Sequence, residues 1–175
     1  GVTTNTSGQI LSWNDLTPNA HHGTASGAPV LALDQLNTRP AAQLRSGSYL
    51  NLAGTFFAQE QYVVVRAPNA TWSNYGAVLG RASGRASNYL TENGNTQFHS
   101  NEYPVGVSRN GIVLSSPFSL APINEYMLVK ITVNDGDTSA AAYRIGRADG
   151  FSCDMDIAEI IGYGSTLSTA DEQLL

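Results

Sequence analysis

Apolar and polar residues alternate along most of this chain with a period of two, in short runs separated by glycine and asparagine turns. That pattern predicts β-strands with one buried face. Tyr62-Val63-Val64-Val65-Arg66 reads as a strand rich in β-branched residues, and the alternation from Met127 to Val133 predicts a long central strand. Asn93-Gly94, Asn110-Gly111 and Asp135-Gly136 predict tight hairpins, because two-residue turns need a positive φ. Around the second of these, Val105, Val107 and Arg109 alternate on one arm and Ile112 and Leu114 on the other. Around the first, Tyr89-Leu90-Thr91 and Thr96-Gln97-Phe98-His99 flank the loop. Many short strands at regular spacing predict an all-β antiparallel sandwich or barrel.

Helix is nearly absent. The one start signal is Ser168-Thr169-Ala170-Asp171-Glu172, where Thr169 and Glu172 have the spacing of a capping box. No repeat, linker or low-complexity tract interrupts the pattern, so residues 1–175 read as one domain, long enough to bury a core.

Charge changes the picture more than hydrophobicity does. Charged residues are only 13% of the chain, so its polar surface is built from Asn, Ser, Thr, Gln and Gly. Such a neutral surface suits extracellular or virion proteins and direct hydrogen bonding to sugars. Net charge is −5, with the single lysine Lys130 and eight scattered arginines. Nucleic-acid binding needs a basic stripe to displace counterions from phosphates, and none is visible; an anionic membrane is disfavoured for the same reason. No apolar run is long enough for membrane insertion. The lone Cys153 rules out an intrachain disulfide and reads as a small residue at a strand start.

Several segments, in order, carry a family resemblance. They are Ile10-Leu11-Ser12-Trp13-Asn14-Asp15 before His21-His22-Gly23-Thr24-Ala25, then Pro40-Ala41-Ala42-Gln43-Leu44 with Gly47-Ser48-Tyr49-Leu50. Tyr62 to Arg66, Gly76-Ala77-Val78-Leu79-Gly80 and the closing run from Tyr143 through the acid-bearing strand Asp154 to Tyr163 follow. Together they resemble bacterial and phage laminin-G-like domains of the concanavalin A-like lectin/glucanase fold. The resemblance implies a jelly-roll β-sandwich and a non-catalytic carbohydrate-binding or adhesion module. It would sit on an extracellular or virion-surface protein such as a phage fibre or capsid decoration. A purely structural virion role, packing on other fibre subunits, is the sibling reading. Relatives begin with a further apolar strand and continue beyond the helix start, so the chain reads as the body of a domain cut at both ends or a module of a longer polypeptide.

Three sets of residues carry candidate chemistry. Trp72, Asn74 and Tyr75 form one aromatic–amide cluster, and His99, Asn101 and Tyr103 a second. Aromatic faces with planar hydrogen-bonding groups suit a glycan or cell-surface polysaccharide, although Trp and Tyr also fill sandwich edges. Asp135 and Asp137 lie in an oxygen-rich hairpin tip that suits calcium, against the plainer reading of a solvated turn. Asp154, Asp156 and Glu159 have acid-x-D-x-x-E spacing. It is similar to the E-x-D-x-x-E strand of family 16 glycoside hydrolases, where a bulge restores the last acid to the common face. A retaining hydrolase would use Asp154 and Glu159, with carboxyl groups about 5–5.5 Å apart. The aspartate at the first position is one methylene short for that attack. His21, His22 and His99 are too scattered to define a metal site or triad.

Overall fold

A computed structural model describes residues 1–82, 91–98, 106–133 and 140–174. In chain order its strands are β1 Val2–Thr4, β2 Ile10–Trp13, β3 Gly23–Ser26, β4 Val30–Leu36, β5 Arg39–Leu44, β6 Tyr49–Leu52, β7 Glu60–Arg66 and β8 Leu79–Arg81. They continue as β9 Gly106–Arg109, β10 Ile112–Val113, β11 Met127–Thr132, β12 Tyr143–Ile145, β13 Arg147–Ala148, β14 Phe151–Ser152 and β15 Met155–Tyr163. One helix, α1, spans Thr169–Glu172. Two antiparallel sheets pack face to face in a jelly-roll-like β-sandwich, as the alternation predicts. One has the order β1-β2-β3-β6-β12-β8 and the other β10-β9-β11-β7-β15-β5-β4.

The inward rows make one continuous core. From the seven-stranded sheet come Val63, Val65, Met127, Val129, Ile131, Met155 and Ile157; facing them are Leu50, Leu79, Tyr143 and Ile145. Alternation alone decides this: Val64, between two buried valines, turns to the other face of β7. Cys153 is buried against Thr91, and burial pushes its thiol up to about 12, so it is inert packing and not a nucleophile.

Turn chemistry behaves as expected at the Asn110-Gly111 hairpin, and a second two-residue turn joins β13 to β14. Asn110 (φ 50°) and Gly111 (φ 80°) form the two-residue turn between β9 and β10. Asp149 (φ 48°) and Gly150 join β13 to β14. The Asn93-Gly94 turn is wider than two residues: Thr91 bridges Phe98, and Glu92 N–H donates to the Gln97 carbonyl. The loop is drawn open because it docks on Trp72. Trp72 N–H donates to the Asn95 carbonyl, and Gly94 N–H to the Trp72 carbonyl, both at 2.9 Å.

The helix cap also shifts by one residue. Ser168, not Thr169, is the N-cap; its hydroxyl accepts from Asp171 N–H and donates to the Asp171 carboxylate at 2.6 Å. The Ser-x-x-Asp pairing therefore replaces the Thr-x-x-Glu box, and Glu172 is left free to reach Lys130. No helix among the described residues is long and apolar enough to cross a membrane.

Candidate functional site

The seven-stranded sheet presents its outer face through the residues that alternate away from the core. The acid-bearing strand β15 controls what appears there. Asp156 lies opposite Arg66 and Ile157 opposite Val65, but Glu159, not Ala158, lies opposite Val64. The extra residue is a β-bulge, and it returns Glu159 to the face that Asp156 occupies. The expectation that a bulge restores the last acid of the motif is met.

Asp156 is fully buried on that face and is held by two arginines only about one-third exposed. Its Oδ1 accepts from Arg45 Nη2, and its Oδ2 from Arg66 Nε at 2.8 Å. Arg45 is fixed first by its own backbone. It opens the tight turn through Ser46 (φ 52°) and Gly47 (φ 80°), and its Nη1 donates to the carbonyls of Leu44 and Met155, each at 2.8 Å. Arg66 closes β7, donates through Nη2 to Gln35 Oε1 at 3.1 Å, and lies 4.7 Å from the centroid of the Tyr126 ring. Burial, together with the Asp156 charge, raises the Tyr126 phenol above its ordinary range. Gln43, cross-strand from Asp156, completes a row of planar amide, carboxylate and guanidinium groups.

The other acids differ sharply. Asp154 is half-buried, and its Oδ1 accepts from Ser46 N–H at 3.1 Å, so it braces the Arg45 turn. Glu159 is exposed. The three acids thus share one face while only Glu159 stands open on it; Asp156 is engaged by two cations, which fits a structural anchor.

The far end of the same face is covered. Glu60 and Tyr62 alternate outward on β7, yet they are 1% and 8% exposed. The segment after β15 lies over them: Leu167 N–H donates to Glu60 Oε2 at 2.9 Å, and Lys130 bridges Glu60 at 2.8 Å and Glu172. Tyr62 Oη donates to Glu60, and its ring meets Tyr163 edge-on at 6.0 Å. Burial alone would lift the Glu60 carboxyl; the Lys130 and Leu167 bonds outweigh it and hold it below its ordinary 4.5. Burial together with Glu60 pushes the Tyr62 phenol up to about 12. A carboxyl with a lowered folded pKa contributes stability that is present above 4.5 and lost as pH falls through the folded value. Thermal midpoints should therefore fall as pH drops below 4.5, and Glu60→Gln should lower the midpoint at neutral pH while flattening that acid slope.

The loop candidates fare unevenly. Trp72 is not a stacking platform: it is 1% exposed in the core, and its Nε1 has no hydrogen-bond partner among the described residues. Asn74 is exposed, but its Oδ1 accepts from Tyr75 N–H; Tyr75 is half-buried, edge-on to Phe151 at 5.8 Å. His99, Asn101 and Tyr103 lie outside the described residues, as do the calcium candidates Asp135 and Asp137. Among the described residues, no three His, Cys, Asp or Glu side chains gather as a metal site. His21 and His22 tie down the loop after β2: His21 Nδ1 sits 2.9 Å from the Ala53 carbonyl, and His22 Nδ1 accepts from Asp15 N–H.

Arg45, Arg66, Gln35 and Tyr126 were not evident as site residues from the sequence. The one available signal was alternation, which turns Arg66 to the same side as Val64. Comparisons with known protein families, with curated proteins and with solved structures found no match to this chain.

Proposed function

We propose that the domain is a carbohydrate-recognition module of an extracellular or virion-surface protein, and that the glycan lies on the outer face of the seven-stranded sheet. The observation that carries this reading is the Arg45–Asp156–Arg66 network, a buried carboxylate locking two partly exposed guanidinium groups beside Gln35, Gln43 and Tyr126. Fixed planar donors and acceptors next to an aromatic ring match the in-plane hydroxyls and apolar faces of a sugar, and their rigidity lowers the entropy cost of binding. The laminin-G-like resemblance of the sequence supports the same reading.

One observation favours a second reading. The bulge at Ala158 brings Asp154, Asp156 and Glu159 to one face, as a retaining glycoside hydrolase requires. Against it stand Asp154 bonded to a turn and Asp156 bonded to two arginines.

A glycan-array screen with and without EDTA separates the readings. For a ligand on the sheet face, Gln43→Ala and Glu159→Gln should each weaken binding by about tenfold, the scale of one lost hydrogen bond to a charged or oriented group, while Asn74→Ala leaves it unchanged. Turnover of a bound glycan that Glu159→Gln abolishes would establish the hydrolase. Chelator-sensitive binding would direct attention to calcium at Asp135 and Asp137. A panel with no bound glycan at all would overturn the recognition reading and leave virion assembly ahead.

A further inference from the structure

Glu60 and Tyr62 alternate outward from the core, together with Lys130 and Thr132, their register partners on β11. They are the continuation of the Arg66 row along β7, and among the described residues the segment 164–174 lies over them beside Tyr163. That segment has little holding it. It contains no buried residue; Leu167 and Glu172 are its half-buried positions. Its polar anchors to the sheet are the Leu167 N–H on Glu60 and the Glu172 carboxylate on Lys130. A segment with few buried apolar contacts and exposed backbone bonds belongs to the low-stability end of a fold. Beneath it lie a carboxylate, an ammonium, a phenol and a hydroxyl, with Lys130 Nζ 5.7 Å from the Tyr62 ring centroid and Thr132 Oγ1 donating to Glu60 Oε1 at 3.4 Å. These are oriented hydrogen-bonding groups beside aromatic rings, the chemistry already present around Arg66.

We propose that residues 164–174 are a lid, and that the Glu60–Tyr62–Lys130–Thr132 cluster is a covered extension of the glycan face, uncovered when the lid lifts. This rests on the recognition reading above and adds its regulation: short glycans occupy the open half, and longer ones gain contacts only after the lid is displaced.

The lid can be released without touching the cluster. Leu167→Pro removes the N–H that Glu60 accepts, and Glu172→Ala removes the second anchor. In deuterium exchange of the whole chain in buffer alone, the double variant should exchange residues 168–174 roughly tenfold faster than the parent, with β7 and β11 unchanged. Exchange at 168–174 as slow as in those strands, in both proteins, would overturn the lid. Cello- and chito-oligosaccharides then test the extension. The double variant should gain affinity for a hexasaccharide but not for the corresponding disaccharide; an equal or absent gain for both lengths overturns it. If neither protein binds any saccharide, the recognition reading falls and the extension with it, while the exchange data still decide whether the segment opens.

Discussion

Trp72→Ala should lower the stability of this domain by about 3–5 kcal/mol, the range for removing a large aromatic from a packed core. At roughly 2–4 °C per kcal/mol for a chain of this size, the thermal midpoint should drop by about 6–20 °C. The argument rests on position. Trp72 is 1% exposed and lies among Val65, Val129 and Ile131 of the seven-stranded sheet and Val78, Phe98 and Leu120 from the connecting segments. Its backbone also anchors the 92–97 turn through two hydrogen bonds. Truncation therefore opens a cavity and loosens the loop that closes over it. Trp72→Phe keeps much of the volume and removes an indole N–H that has no partner among the described residues, so its cost should be clearly smaller. Denaturation followed by circular dichroism checks both. If Trp72→Ala weakened glycan binding while its midpoint stayed at the parent value, Trp72 would be a surface platform after all.

The Trp72 case shows where one-dimensional reading stops. Thr71, Ser73 and Asn74 around it are polar and exposed, so the local sequence looks like a solvent loop. What buries the indole is side chains from β7 and β11 and from segments far along the chain, with its backbone tied to Asn95, and nothing in the segment itself encodes that meeting. By contrast, the strands β7 and β11 and the Asn110-Gly111 hairpin were legible, because alternation and positive φ are properties of adjacent residues. The helix start was legible but misplaced by one residue, since Ser168 and Thr169 carry equivalent capping hydroxyls and only geometry chooses between them. The acid strand was half legible. Its bulge matches what the motif's resemblance implies; its engagement by Arg45 and Arg66, 111 and 90 residues distant, is not written in the strand. An aspartate that looks catalytic on a strand becomes an anchor once two guanidinium groups arrive from the turn after β5 and from the end of β7.

That engagement sets the second large effect. Asp156→Asn should cost about 3 kcal/mol, the lower end of the range for removing one partner from a buried ion pair. The lower end applies because Arg45 and Arg66 are each about one-third exposed and can recover part of their hydration. The asparagine keeps the shape of the site but turns one acceptor oxygen into a donor that faces a guanidinium, and it leaves two cations uncompensated around one position. The loss should be graded by partner. Arg66→Gln alone leaves Asp156 its Arg45 bond and should cost less than Asp156→Asn. The Asp156→Asn/Arg66→Gln double variant should cost less than the sum of the two, because both single changes break the same pair. Urea denaturation of the four proteins in one buffer measures that coupling. A coupling near zero would mean that the network is not a unit, and the rigid donor row that the recognition reading depends on would lose its physical basis. A large coupling would identify Asp156 as the residue that orders the face, acting through the arginines and without contacting the ligand.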